Sequence, residues 1–226
     1  IHHINKIKEM SPDSTIILVM SGNFTQRGDV SIIDKWKKTE IALNYVDLVI
    51  ELPFVFSIQS ADIFAHGAIT ILKNLNVDKI IFGTETLTPI QLNKIAQAQK
   101  TEKFNKLVKE YMNDGISYPT SLSKAVQNLT KIKIESPNDL LGLSYIKELD
   151  GSNIIPITIK RTNDYHSKEL KTKITSATSI REAIKHHKNI KEYVPKETYQ
   201  ALQNNMHFNE QYFSLLKYKI ISELNN

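Results

Sequence analysis

The chain has 226 residues, of which 41% are hydrophobic, and it carries a formal net charge of +5 and no cysteine. This length suits one large domain, or one domain with a small appendage, and the apolar content is enough to bury a core. The lack of cysteine excludes disulfides and thiolate metal sites and makes a cytoplasmic location the default. Charges interrupt every apolar run, so no membrane span is predicted. The basic excess favours a polyanionic partner, but an ordinary lysine-rich surface explains it equally well.

The first half of the chain alternates apolar runs with helical patterns. Isoleucines at helical spacing predict that the chain opens inside a helix. Short apolar runs predict strands at 15–20, 47–52 and 79–82, and the intervening residues 34–45 and 59–75 have helical periodicity. Continuous apolar strands that alternate with helices indicate βαβ units, so we predict an α/β fold with a parallel sheet.

The second half is mostly helical. Polar-faced helices are predicted at 89–99, 101–113 and 120–129, within a segment of about 86–135 that we interpret as a helical insertion. Ser136 followed by Pro137 is a favoured helix start. A fourth strand is predicted at 154–160, where Pro156 favours an edge position, and further helices are predicted at 178–187 and 209–224.

Ligands of such sheets bind beyond the carboxyl ends of the strands, which directs attention to the residues after each predicted strand. The first strand is followed by a loop that offers glycine for close backbone approach and an arginine fork for a carboxylate or phosphate. An ordinary surface turn is the alternative reading of this loop. The candidate substrate-loop residues are Ser21, Gly22, Asn23 and Arg27.

Three further positions are candidates for an anionic or nucleotide ligand. Gly83 follows the third strand and leaves backbone open to a base or ribose, although the residue taken alone indicates a plain strand-ending turn. Asn138 lies at a helix N-terminus, where exposed amides favour anions but also serve simple capping. Arg161 closes the fourth strand beside Lys160 and reads either as a ligand contact or as part of a solvated charge cluster.

The segment 176–181 has the sequence SATSIR, which places several hydroxyl side chains at the start of a predicted helix. Hydroxyls, free amides and a cation together form a phosphate cradle, which makes Thr178 and Arg181 candidates; a capping box with Glu182 is the alternative. No histidine has zinc-ligand spacing with a second convincing ligand, and no metal site is predicted. His66, on an apolar helical pattern, is predicted to be a packed core residue.

Eight ordered blocks carry a family resemblance. They include MSGNFTQRGD at 20–29, DLVIELPF at 47–54, IIFGTE at 80–85, SPNDLLGLSY at 136–145 and SATSIR at 176–181. In order and spacing the chain resembles the bacterial tRNA(Met) cytidine acetate ligases, within the nucleotidyltransferase superfamily that carries an HxGH motif. The resemblance extends over essentially the whole chain and implies a Rossmann-like parallel sheet.

The resemblance implies that ATP and acetate form acetyl-adenylate, and that the acetyl group then passes to the wobble cytidine of elongator tRNA(Met). It implies ATP contacts at Gly83, Asn138 and Arg161, and it matches Thr178 and Arg181 to a second phosphate motif. Magnesium is expected to accompany the triphosphate. The HxGH histidines and the first strand are expected upstream of Ile1, so that residues 1–190 form a core without its first strand and 191–226 begin a C-terminal helical region.

Two alternatives remain open from the sequence. The first is an adenylyltransferase of the same superfamily that builds a nucleotide cofactor and needs no RNA. The second is a non-catalytic module that binds nucleotide or RNA. Basic residues between 160 and 191 favour the RNA-linked reading.

Overall fold

The computed structural model describes residues 2–160, 177–204 and 206–224. In this part of the chain the strands are β1 Ile17–Ser21, β2 Leu48–Leu52, β3 Lys79–Thr84 and β4 Ile155–Lys160. The helices are α1 His2–Met10, α2 Lys35–Ala42, α3 Phe54–Ser57, α4 Ala61–Asn74, α5 Pro89–Gln99, α6 Glu102–Asn113, α7 Tyr118–Thr130, α8 Pro137–Glu148, α9 Ala177–Lys185, α10 Lys196–Ala201 and α11 Asn209–Glu223. The α/β class is confirmed. None of the described helices is both long and apolar enough to cross a bilayer.

The chain divides into two compact units. One unit contains residues 1–60 and the described part of 163–226, and it holds the parallel pair of β1 and β2, in which Ser21 faces Leu52. Its hydrophobic cluster joins buried residues in and just after α9 and α10 with partly buried residues ahead of α2. The members include Ala183, Ile190, Leu202, Ile32 and Ile33.

The other unit contains residues 61–162, of which 61–160 are described. Its strands β3 and β4 are parallel, with Gly83 opposite Ile159 and Thr84 opposite Lys160. Helices α4 to α8 contribute the hydrophobic core around β3, which includes the fully buried Ile69, Leu92, Ile95 and Ala125. The sequence-based division at residue 190 stays a prediction.

Local sequence explains where several helices begin. Asp34 accepts a hydrogen bond from the Lys37 amide and caps α2, and Ser136 caps α8 by accepting from the Asp139 amide. Thr88 forms a capping box with Gln91 at the start of α5. Each of these side chains accepts a hydrogen bond from an amide that has no partner within its own helix. The caps predicted from the sequence at α2 and α8 are therefore present.

Three features differ from the sequence-based expectations. β3 continues through Gly83 to Thr84, because Thr84 is buried and paired with Lys160. The short helices α3 and α10 were not predicted, since four and six residues carry too little periodicity to be recognised. The prediction of a buried His66 is wrong: its side chain is 57% exposed, and Nδ1 lies 2.9 Å from Glu148 Oε2.

At Gly142, α8 packs tightly against Phe82 of β3 and Leu92 of α5. A Cβ atom there would lie 2.9 Å from Phe82 Cε2 and 3.2 Å from Leu92 Cδ1. We therefore expect Gly142→Ala to lower the free energy of unfolding by about 1–3 kcal/mol through overpacking, despite the better helix propensity of Ala. Urea denaturation measures the change. The control is Leu140→Ala, at a residue of the same helix that is 49% exposed, and it should lower the free energy of unfolding by less. If Gly142→Ala is as stable as the wild type or more stable, this packing is contradicted.

We expect the Tyr145 hydroxyl to make the stability of its unit depend on pH in the alkaline range. The ring lies 5.2 Å from that of Phe82, and burial raises the pKa of Tyr145 to about 12. The pKa of Tyr145 in the folded state exceeds its unfolded value of about 10. The contribution of this hydroxyl to the free energy of unfolding is therefore complete below pH 10 and is lost as the pH rises towards 12.

We therefore expect the free energy of unfolding to fall by on the order of 2 kcal/mol more in the wild type than in Tyr145→Phe between pH 10 and 12. Urea unfolding at a series of pH values measures the difference. Tyr118→Phe, at an exposed tyrosine of α7, should follow the wild type. Parallel pH profiles for wild type and Tyr145→Phe would refute the assignment.

Candidate functional site

A buried carboxylate organises the loop that follows β3. Asp139 has no solvent exposure, and it accepts hydrogen bonds from the Glu85 amide at 3.1 Å, the Thr86 hydroxyl at 2.7 Å and the Leu87 amide at 3.4 Å. The Thr86 amide points at the same carboxylate, 3.3 Å from Oδ2. A charge removed from water needs such compensation, so the start of α8 and this loop are fixed to one another.

The Glu85 side chain forms a second set of hydrogen bonds between this loop and the start of α8. Its Oε2 accepts a 2.6 Å hydrogen bond from the Ser136 hydroxyl, and its Oε1 accepts one from Asn138 Nδ2. The Ser136 hydroxyl oxygen also accepts from the Asp139 amide at 3.1 Å. Asn138, predicted from the sequence, is thereby joined to the loop two residues beyond Gly83. Glu85 and Asp139 were not predicted, although both stand inside the quoted blocks IIFGTE and SPNDLLGLSY.

The carboxyl end of the β3–β4 pair is the edge where a ligand of this unit is expected. Gly83 is partly exposed in β3, and Lys160 is exposed at the end of β4. Arg161, the next residue, lies outside the described residues. The structure therefore describes Gly83, Asn138 and the network that joins their segments, and the predicted role of Arg161 stays a prediction.

In the other unit, Lys38 of α2 holds the end of β1. Its ammonium donates to the carbonyl oxygens of Ser21 at 2.9 Å and Gly22 at 2.7 Å. Burial lowers the pKa of Lys38, while the carboxylates of Glu51 and Asp34 act in the opposite direction. The ammonium binds both carbonyl oxygens, so it fixes the start of the candidate substrate loop.

Gly22 and Asn23 are also held by local contacts. A Cβ atom on Gly22 would lie 2.1 Å from Glu51 Oε1, and Glu51 in turn forms a 2.7 Å ion pair with Lys35. Asn23 Oδ1 accepts from the Lys35 amide at 2.9 Å, so it supports the first turn of α2. The sequence identified the loop but not the side chains that position it. Arg27, also predicted, is exposed at the loop's far end.

The hydroxyl-rich start of α9 belongs to the same unit as this loop. Thr178 is partly buried, Ser179 is 1% exposed and Arg181 is exposed one turn into the helix. Ile180 packs in the hydrophobic cluster that Ile32 also joins, which ties α9 to the segment after the loop. Within the described residues, no three His, Cys, Asp or Glu side chains are grouped so that they could hold a metal ion.

Comparison with known proteins identifies the family to which the chain is similar. The sequence model described as HIGH Nucleotidyl Transferase matches residues 1–226. The tRNA(Met) cytidine acetate ligase of Clostridium novyi (strain NT) is 41% identical over 243 residues, which cover 98% of this chain and 61% of that protein. The ligase of the same name from Clostridium acetobutylicum is 39% identical, again with 98% and 61% coverage. The chain therefore spans about 61% of the length of these curated relatives.

Solved structures are also similar. The apo crystal structure of Thermotoga maritima TmcAL superposes with a TM-score of 0.81 at 31% sequence identity, over 89% of this chain and 52% of that one. A crystal structure of the same protein bound with alpha-thio ATP gives a TM-score of 0.79 at 31% identity, over 89% and 51%. The fold of the chain is thus of the nucleotidyltransferase type.

Proposed function

The chain belongs to the HIGH nucleotidyl transferase family, and from this premise we propose that its protein is an ATP-dependent ligase that acetylates the wobble cytidine of elongator tRNA(Met). One observation carries the proposal: 98% of the chain aligns, at 41% identity, with a relative named tRNA(Met) cytidine acetate ligase. The structural neighbour that is bound with alpha-thio ATP supports ATP as the nucleotide.

The proposed chemistry has two steps. A carboxylate does not acylate an amine at neutral pH, so an acetate oxygen first attacks the α-phosphorus of ATP, and the bond to pyrophosphate breaks. The cytidine amine then attacks the acetyl carbon of the mixed anhydride, loses a proton and releases AMP. The protein's task is to orient the two anions and to neutralise charge as it develops.

We assign ATP binding to Gly83, Asn138, Arg161, Thr178 and Arg181. The contacts of Asn138 support this assignment, because Glu85 and Asp139 hold the Asn138 segment against the loop after Gly83. The loop residues Ser21, Gly22, Asn23 and Arg27 are assigned to the substrate side, with Arg27 as the exposed cation.

Magnesium is proposed to enter with the nucleotide. The described carboxylates of Glu85 and Asp139 already accept protein donors, and no cluster of three metal-ligating side chains occurs in the described ranges. The ion would therefore be held mainly by triphosphate oxygens and water, as is usual for Mg²⁺. Its chemistry would be charge neutralisation on the phosphates.

Binding of tRNA is proposed to rely on the basic residues between 160 and 191. Apart from Arg181, which is assigned to ATP, those that the structure describes as exposed are Lys160, Lys185, Lys188 and Lys191. Contacts of lysine and arginine with phosphates release counterions, so affinity for tRNA should fall steeply as salt increases. A protein that modifies tRNA in this way would work in the cytoplasm.

The test uses the product of the complete reading frame that contains this chain, incubated with ATP, radiolabelled acetate and bulk tRNA. The tRNA is then digested and its nucleosides are separated. Label in acetylcytidine that depends on ATP is the expected result. ATP consumption with a cofactor precursor but no labelled cytidine would instead identify a cofactor-building adenylyltransferase, and salt-sensitive tRNA binding without ATP turnover would identify a binding module.

A further inference from the structure

The Asn138 amide has only one orientation that suits its neighbour. An ionised carboxylate can only accept hydrogen bonds, so the nitrogen of the amide, not its oxygen, must face Glu85. The structure has this arrangement, with Asn138 Nδ2 donating to Glu85 Oε1. Among the described residues this is the only hydrogen bond of the Asn138 side chain. Its Oδ1, on a partly exposed residue, is left as an acceptor.

Glu85 itself cannot turn away from Asn138 without losing other contacts. Its second oxygen, Oε2, accepts from the Ser136 hydroxyl at 2.6 Å, and its backbone amide donates to the fully buried Asp139 at 3.1 Å. The Ser136 hydroxyl is in turn held by the Asp139 amide. Both ends of Glu85 are therefore fixed, and through them the amide of Asn138 is fixed as well.

We propose that Glu85 is a positioning residue: it holds the Asn138 amide so that Oδ1 faces away from the carboxylate as an acceptor for the nucleotide, which selects a hydrogen-bond donor on the nucleoside. This inference rests on the proposed function, in which Asn138 contacts ATP. Three groups of ATP have the required chemistry: the exocyclic amine of adenine and the 2′- and 3′-hydroxyls of the ribose. A site with a fixed acceptor rejects an analogue that lacks the donor, because the bound analogue covers the oxygen without giving it a partner.

The experiment measures equilibrium dissociation constants of ATP, ITP, 2′-deoxy-ATP and 3′-deoxy-ATP for the complete protein and its variants. ITP replaces the amine with an oxygen, and each deoxy analogue lacks one ribose hydroxyl. For the wild type we expect ATP to bind about tenfold more tightly than one of these analogues, the size of one hydrogen bond. The analogue that is rejected tells which donor Asn138 contacts.

In Glu85→Ala the amide of Asn138 can rotate, so the preference for ATP over that analogue should fall to about twofold or less. Glu85→Gln keeps the size of the side chain but retains one acceptor oxygen for two donors, and it should show an intermediate preference. Glu110→Ala removes an equal charge at an exposed position of α6 and should behave like the wild type. Urea denaturation of every variant checks that each one is folded under the conditions of the binding measurements.

The outcomes separate this inference from the function on which it rests. If the wild type does not bind ATP, the proposed function fails. If the wild type prefers ATP over at least one analogue, and both Glu85 variants keep that preference unchanged, the positioning role of Glu85 is refuted while the function stands. If the wild type binds all four nucleotides equally, the acceptor does not read the nucleoside and the inference is also refuted.

Discussion

Asp139→Ala is expected to lower the free energy of unfolding by about 3 kcal/mol, because it leaves the buried Leu87 amide and the partly buried Glu85 amide without their acceptor. The carboxylate is fully buried and binds the Glu85 and Leu87 amides and the Thr86 hydroxyl. Urea denaturation of the variant measures the loss. ATP affinity should fall as well, because the loop after β3 is no longer fixed to the start of α8.

Two further variants make this result specific. Asp139→Asn keeps the size of the side chain but replaces one acceptor oxygen with a donor that faces other donors, so it should recover only part of the stability. Asp150→Ala removes a carboxylate whose side chain is half exposed and paired with Lys100. The urea concentration at which this variant is half unfolded should stay close to that of the wild type. If Asp139→Ala unfolds at the same or a higher urea concentration than Asp150→Ala, the role of the buried carboxylate is contradicted.

Arg161→Ala is expected to lower the rate of acetyl-adenylate formation by about 100-fold or more. A preorganised cation that neutralises charge developing on the phosphates typically contributes this much. The rate is measured as AMP-forming turnover of ATP with acetate and tRNA. Arg161→Lys should recover only part of the activity, because an ammonium lacks the planar fork of the guanidinium.

Lys109→Ala is the control for loss of a positive charge, since Lys109 is exposed on α6, away from the candidate site residues in sequence. It should retain the wild-type rate. A wild-type rate in Arg161→Ala would remove this residue from the assigned ATP site, whereas equal losses in both variants would point to a general electrostatic effect.

The sequence predicted the fold where its signals are local. Apolar runs located the four described strands, and Asp34 and Ser136 marked the starts of α2 and α8, because cap residues act within a few positions of the helix they cap. His66 was misplaced because helical periodicity does not fix which edge of an apolar face is covered, and Glu148 satisfies it at the surface.

The candidate site was less predictable, because its contacts join segments far apart in the chain. Asn138 and Gly83 were found from their positions at a helix start and a strand end. The carboxylates that organise them, Glu85 and Asp139, are more than fifty residues apart, and their connection depends on the packing of α8 against β3. Lys38 presents the same difficulty, since an α2 lysine shows no sequence signal for binding the carbonyls at the end of β1.

The most direct test of the proposed activity is acetate-dependent exchange of radiolabelled pyrophosphate into ATP, measured with the complete protein in the absence and presence of tRNA. Reversible formation of acetyl-adenylate predicts label in ATP that requires acetate and is strongly reduced in Arg161→Ala. No exchange under either condition, in a protein that binds ATP, would contradict activation of acetate as an adenylate.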